Sequence, residues 1–168
     1  MTVLSDLPDD ALLRVVPCHP ALNDEAATAA SGAITKLLTQ FVREGAVQAA
    51  GCEAVHNGGF LLIAWQPTET PLSGCRQDKL SKVLQDHEQR SGSSLLCPPP
   101  IILDQAGDPR CGTQGSLRSQ VAVGAVSPDS LAYDHLVKQV GEWRRGMPRP
   151  IRDIPWLAKA VERMAAKA

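Results

Sequence analysis

The chain has 168 residues, of which 43% are hydrophobic and 21% are charged, and its formal net charge is −1. This composition is typical of a globular protein and excludes an intrinsically disordered one, while the length suffices for an ordinary core. The apolar run Phe60 to Trp65 has only six residues, so the sequence predicts no membrane span. The acidic N-terminus, interrupted by Pro8, lacks the basic and apolar segments of a signal peptide, and we expect a cytoplasmic protein.

Short apolar runs and turn residues predict the first half of the fold. A strand is expected over Leu13 to Val16 and a helix from an Asn23 or Asp24 cap to about Arg43. A strand over Cys52 to His56, a tight turn at residues 57–59 (NGG) and a strand over Phe60 to Gln66 read as a hairpin. The near-continuous apolar character of the returning strand predicts a central position in its sheet.

The second half of the chain has weaker periodicity. A second helix is expected from Gly74 to Arg90, with Leu80, Leu84 and His87 on one face. Further elements are expected in the following order: a strand over Ile101 to Gln105, a short strand near Arg110, a helix from Ser116 to Val123, a strand over Ser130 to Leu136, and a helix from Trp156 to Ala166.

The order β-α-β-β-α-β, followed by an extension, predicts an α+β fold. We expect one domain whose mixed or antiparallel sheet carries its helices mainly on one face, with a ferredoxin-like split βαβ arrangement as the simplest solution. Charge divides the chain: residues 1–137 hold nine basic and fifteen acidic side chains (−6), and residues 138–168 hold eight and three (+5). We therefore expect a core domain over 1–137 and a basic C-terminal arm with a helix over 138–168.

The basic arm has two interpretations. Its arginines and the adjacent Trp143 suit phosphate contacts and base stacking, and they equally suit a strap whose guanidinium groups pair with carboxylates of the core. We favour the strap, because the acidity of residues 1–137 would oppose a polyanion. Nucleic acid is thus a disfavoured partner, other partners are unknown, and the sequence leaves a homodimer open. The arginines concerned are Arg144, Arg145, Arg149 and Arg152.

The most informative segment is the start of the second helix, where residues 73–78 read SGCRQD. One interpretation is structural: Ser73 caps the helix, Gly74 permits close approach and Cys75 is buried. A second is an anion site at Ser73, Gly74, Cys75 and Arg76, because backbone N–H groups and the helix dipole favour negative charge there. A third is thiol catalysis by Cys75, activated by the dipole and Arg76.

Thiol catalysis requires a base, and His56 and His87 are the candidates. Each also has a structural interpretation, as a strand-end residue and a helix-face residue. A metal site is not expected, because Cys52 and His56 at i and i+4 on a strand would lie about 13 Å apart. No cofactor is expected. The odd number of cysteines without a C-x-x-C pair predicts reduced, mostly buried thiols: Cys18, Cys52, Cys75, Cys97 and Cys111.

Two motifs and two tryptophans carry a resemblance to a family. The segment SGCRQD resembles the S/T-G-C-S-I-D motif of short, uncharacterised bacterial proteins, with Arg76 and Gln77 replacing Ser and Ile. The segment from Gly124, GAVSPDSLAYDHLV, resembles their A-V-S motif before a strand, and Trp143 and Trp156 resemble their tail tryptophans. The resemblance is collinear over most of the chain.

Members of that family often carry the label "ABC transporter ATPase", and residues 72–77 (LSGCRQ) do resemble the LSGGQ signature. The chain contains no G-x-x-x-x-G-K-[ST] loop to bind phosphates and magnesium, so we reject ATP hydrolysis. Two hypotheses remain: a non-enzymatic binding or accessory protein with an anion site at Ser73 to Cys75, which we prefer, and a thiol-dependent enzyme that uses Cys75.

Overall fold

The computed structural model describes residues 4–96 and 101–166. The strands are β1 Leu12–Pro17, β2 Val47–Val55, β3 Phe60–Pro67, β4 Ile101–Gln105, β5 Asp108–Gly112, β6 Leu131–Ala132 and β7 Arg149–Pro150. The helices are α1 Asp24–Arg43, α2 Gly74–Ser91, α3 Gln114–Ala122, α4 Val140–Arg144 and α5 Pro155–Ala165, with 3₁₀ turns at Leu4–Asp6 and Ile151–Asp153. The α+β class is confirmed, and both sheets are antiparallel.

The chain forms two compact units that interleave in sequence. One unit comprises residues 1–98 and 135–145, and the other comprises residues 99–134 and 146–168. No single cut of the chain separates them, so they are not two domains in tandem. The expected boundary at residue 137 does not coincide with either unit, because residues 138–145 belong to the first unit and residues 146–168 to the second.

The first unit contains a three-stranded sheet in the order β1-β3-β2, so the central position expected for β3 is confirmed. Helix α1 begins where the sequence predicts, because the Asn23 side chain accepts the Ala26 N–H at 2.8 Å. The helix is followed by Gly45, whose φ of +67° suits glycine. The apolar stripe of α1, which includes Ile34 and Phe41, is buried against this sheet.

Helices α1 and α2 cover one face of this sheet, packing on side chains such as Val16, Leu61 and Ile63. The side chains of Leu13 and Leu62 point to the opposite face, because successive side chains of a strand alternate. That face adjoins the turn Leu4–Asp6 and α4, whose Val140 and Trp143 line a cavity there.

The first five elements, β-α-β-β-α, follow the expected order, but the next strand does not join this sheet. Strand β4 pairs in the second unit. One isolated bridge forms near each end of β1: Leu12 pairs with Gln139, and His19 pairs with Ser94. The ferredoxin-like arrangement therefore stays a prediction.

The second unit contains a four-stranded sheet in the order β5-β4-β6-β7. The strand expected over Ser130 to Leu136 is only two residues long. Two residues after this strand, the buried carboxylate of Asp134 accepts hydrogen bonds from Arg149 at 2.7 Å and from the Trp156 indole at 3.1 Å. Cys97 and the prolines at 98–100 lie outside the described residues.

Four arginines of the basic arm, at positions 144, 145, 149 and 152, pair with aspartates, the kind of partner that the strap interpretation expects. In the first unit Arg144 and Arg145 bind the two oxygens of Asp9, at 3.0 and 2.9 Å. In the second unit Arg149 pairs with Asp134 and Arg152 with Asp129. These side chains therefore already have anionic partners within the chain.

Candidate functional site

The start of α2, where an anion site is expected, is an exposed surface. Ser73, Gly74 and Cys75 are all exposed. The Ser73 hydroxyl makes no capping hydrogen bond, although the Ser73 carbonyl accepts the N–H groups of Arg76 and Gln77 at 3.0 Å. A Cβ at Gly74 would meet no atom within 4 Å, so no close approach requires glycine there. The structural interpretation is thus wrong for the Ser73 side chain and for Gly74.

The Arg76 side chain is used within the fold. Its guanidinium binds Glu44 at 3.1 Å and lies 6.0 Å from the centre of the Phe41 ring. The hydrogen bonds from Gln40 and Arg76 hold the pKa of the Glu44 carboxyl below its usual range. An anion at the start of α2 would therefore compete with Glu44 for this charge.

Cys75 is exposed, so the expectation that it is buried is wrong. Cys18 is buried, and burial raises the pKa of the half-buried Cys52 to about 12 and also raises that of Cys111. The described cysteines are all free thiols. Within residues 4–96 and 101–166, no group of three His, Cys, Asp or Glu side chains is arranged to hold a metal ion.

The structure does not bring either candidate base to Cys75. His87 lies twelve residues further along α2, about 18 Å at the rise of a helix. His56 precedes β3, whereas Cys75 follows it, and the eight residues of β3 span about 23 Å. The Arg76–Glu44 contact places the start of α2 beside Glu44. Strand β2 begins three residues after Glu44, at Val47, which pairs with Pro67 at the end of β3. The start of α2 therefore lies near the end of β3 and away from His56. The expected thiol–histidine pair is therefore not formed.

His56 belongs to an aromatic cluster on the other face of the sheet. Its ring makes edge-to-face contacts with Phe60 at 5.8 Å and with Trp143 at 6.3 Å between ring centres, and Phe60 and Trp143 are 5.4 Å apart. Its φ of +52° is in the left-handed region, as is that of Asn57. The predicted tight turn is confirmed, with His56 included in it.

His87 lines a cavity of about 460 Å³ at the opposite end of α2 from Cys75. Because α1 and α2 run antiparallel, the start of α1 and the end of α2 meet there. Helix α1 and the segment before it contribute one wall, and the last turn of α2 and the residues after it contribute the other. The lining residues are Pro20, Ala21, Leu22, Asn23, Glu25, Ala26, Ala29, His87, Arg90, Ser91 and Ser93.

Three polar side chains of this cavity lie close together in sequence. His87 is only 8% exposed, and its ring has no hydrogen-bond partner among the residues that the structure describes. Burial, and then the nearby Arg90, lower its pKa, which favours the neutral form of the ring. The exposed Arg90 makes no ion pair within the described part of the chain, and Ser93 is buried. The sequence predicted the inward position of His87 but not its neighbours, because the residues of the other wall, from Pro20 to Ala29, are far from it in the chain.

Comparisons of the chain with protein-family profiles, with curated proteins and with solved structures find no match. The resemblance to the bacterial family with the S/T-G-C motif therefore stays a prediction. None of the described helices is both long and apolar enough to span a membrane.

Proposed function

We propose that the protein is a non-enzymatic, cytoplasmic binding protein, and that the cavity between the start of α1 and the end of α2 holds a small ligand with an acidic group. The observation that carries this proposal is His87, a polar side chain more than nine-tenths buried that has no described partner and lines the cavity. A ring nitrogen that has no protein partner at the wall of a cavity is available to hydrogen-bond a ligand. The volume of about 460 Å³ is within the range of small-molecule sites.

The charges on the two walls indicate the chemistry of the ligand. On the α2 wall, the Arg90 guanidinium and an N–H of the neutral His87 ring suit the oxygens of a carboxylate or phosphate. On the α1 wall, the Glu25 carboxylate opposes a purely anionic ligand. A ligand with both an acidic group and an amino group satisfies both walls.

Propionate and β-alanine form a matched pair of probes, because β-alanine adds an ammonium group to the same carboxylate. Each is titrated into the isotope-labelled protein while backbone amide shifts are recorded by NMR. We expect saturable shifts at residues 21–26 and 87–93, and tighter binding of β-alanine than of propionate. The Glu25→Gln variant is expected to remove that preference.

Arginines at the two ends of α2 provide matched variants. Arg90→Gln is expected to weaken β-alanine binding by at least about tenfold, since a charged hydrogen bond contributes about 1.5–3 kcal/mol. Arg76→Gln is expected to leave it unchanged. Binding that is lost in Arg76→Gln and kept in Arg90→Gln would contradict the proposal and place the anion at Ser73 to Cys75. Absence of saturable shifts at both ends would contradict both sites.

A further inference from the structure

A second cavity of the first unit, of about 260 Å³, lies on the sheet face opposite to α1 and α2. It shares no residue with the cavity around His87, so its ligand is independent of the proposed function. Apolar side chains form most of its wall: Leu4, Leu13, Val55, Leu62 and Val140. The other lining residues are Ser5, Glu53, His56, Trp143 and Arg144.

Two aromatic rings form one corner of this cavity. Trp143 of α4 and His56 of the turn between β2 and β3 both line it, and their ring planes make an angle of 64°. Both rings contact Phe60, which is fully buried and fixes their positions from behind. The indole of Trp143 is the aromatic ring type best suited to attract a cation, as in sites that recognise quaternary ammonium ions.

Glu53 supplies the negative charge of this cavity. It pairs with Leu62 across β2 and β3, so both side chains point to the cavity face. Glu53 is half-buried and forms no ion pair or hydrogen bond with another described residue. A carboxylate without a cationic partner beside apolar walls favours a positively charged ligand.

Arg144 is the cationic residue of the lining, and three of its five N–H donors are used within the fold. Its guanidinium binds Asp9 Oδ1 at 3.0 Å and the Leu7 carbonyl at 2.8 Å, and it also donates to the Leu4 carbonyl. The Asp9 carboxylate, which Arg145 also binds, attracts this guanidinium, and none of these bonds goes to Glu53. Glu53 is the carboxylate of the cavity wall, and it has no cationic partner among the described residues.

We propose that this cavity binds a small organic cation of the quaternary ammonium type, with Glu53 as the counter-charge and the Trp143 and His56 rings as the aromatic contacts. A quaternary head needs no hydrogen-bond acceptors, and the cavity offers few. Its alkyl groups suit the apolar walls formed by Leu13, Val55 and Leu62.

Choline and 3,3-dimethyl-1-butanol test this proposal, because they have the same shape and differ by the positive charge. Binding is measured by calorimetry, and the indole N–H peaks of the three tryptophans are followed by NMR. We expect choline to bind at least tenfold more tightly than the alcohol and to shift the Trp143 peak saturably. The Trp143→Leu variant, which lacks that peak, assigns it and is expected to weaken choline binding several-fold.

Glu53→Gln keeps the shape of the side chain and removes its charge, and Glu25→Gln is its matched control in the other cavity. Glu53→Gln is expected to weaken choline binding about tenfold and to leave the alcohol unaffected, whereas Glu25→Gln changes neither. Circular dichroism and urea midpoints show whether each variant is folded. The proposal is overturned if choline and the alcohol bind equally, if neither shifts the Trp143 peak, or if choline binding is lost in Glu25→Gln.

Discussion

Replacing Gly58 by alanine tests the packing that joins the β2–β3 turn to the start of α1. A Cβ at this position would lie 2.0 Å from the Leu22 carbonyl oxygen and 2.9 Å from its carbon, which are backbone atoms that no rotamer change moves. The Leu22 N–H also donates to the Gly58 carbonyl at 3.0 Å. Leu22 is buried and lines the cavity around His87, and it precedes the Asn23 cap of α1.

The expected loss of stability is the sum of three effects. The φ of +77° at Gly58 costs an alanine about 1–2 kcal/mol. Displacing the Leu22 main chain resembles overpacking of a core, at about 1–3 kcal/mol. Weakening the Leu22–Gly58 hydrogen bond adds about 1 kcal/mol. We therefore expect Gly58→Ala to lower the free energy of unfolding by about 3–6 kcal/mol.

Gly45→Ala is the matched control, because Gly45 has a φ of +67° and a Cβ there would meet no atom within 4 Å. It is expected to lose only the conformational term of about 1–2 kcal/mol, reduced by the smaller entropy of its unfolded chain. Urea denaturation at pH 7 measures both variants. A difference between them below about 0.5 kcal/mol would refute the clash with Leu22, since the clash and the hydrogen bond together predict several times that value.

Two further predictions concern titratable groups. Native protein treated with iodoacetamide at pH 8 is expected to be alkylated at the exposed Cys75 before Cys52, whose pKa of about 12 leaves almost no thiolate. A rate at Cys75 far above that of a free cysteine would instead support the thiol-dependent enzyme. The Glu88 carboxylate accepts the N–H groups of Leu95 at 2.6 Å and Leu96 at 2.9 Å, which lower its pKa below the ordinary 4.5. The free energy that these two hydrogen bonds contribute to folding is therefore present above pH 4.5 and lost as the pH falls through the lowered pKa of Glu88. Glu88→Gln, which cannot titrate, should reduce the drop in urea midpoint between pH 7 and pH 3. An unchanged drop would contradict this role of Glu88.

The elements that the sequence predicted well are those set by local chemistry. The Asn23 cap fixes the start of α1, and the apolar run from Phe60 fixes β3 as the central strand. The sheet to which β4 belongs was not predictable, because the strand pattern of Ile101 to Gln105 does not say which neighbour it pairs with. Pairing between distant strands is decided by tertiary packing, which the periodicity of one segment does not contain.

The start of α2 shows a different limit. A serine before a helix predicts a side-chain cap, but the Ser73 hydroxyl makes no such bond and its carbonyl accepts the first N–H groups instead. The pattern indicated the position of the helix correctly and the burial of Cys75 wrongly. Cap residues are set by local geometry, whereas burial depends on what lies over the helix, and no described element covers this end enough to bury the thiol.

The cavity around His87 illustrates why sites are harder to predict than the helices that build them. The sequence placed His87 on the inward face of α2, and a helix-face residue normally finds a core partner. Here no described residue bonds its ring, because the start of α1 presents small residues, Ala26 and Ala29, to the cavity. At the other end of the same helix pair, the bulky Phe41 fills the space beside Arg76. A difference in side-chain volume between the two ends of α1, rather than any motif, therefore leaves room for a ligand.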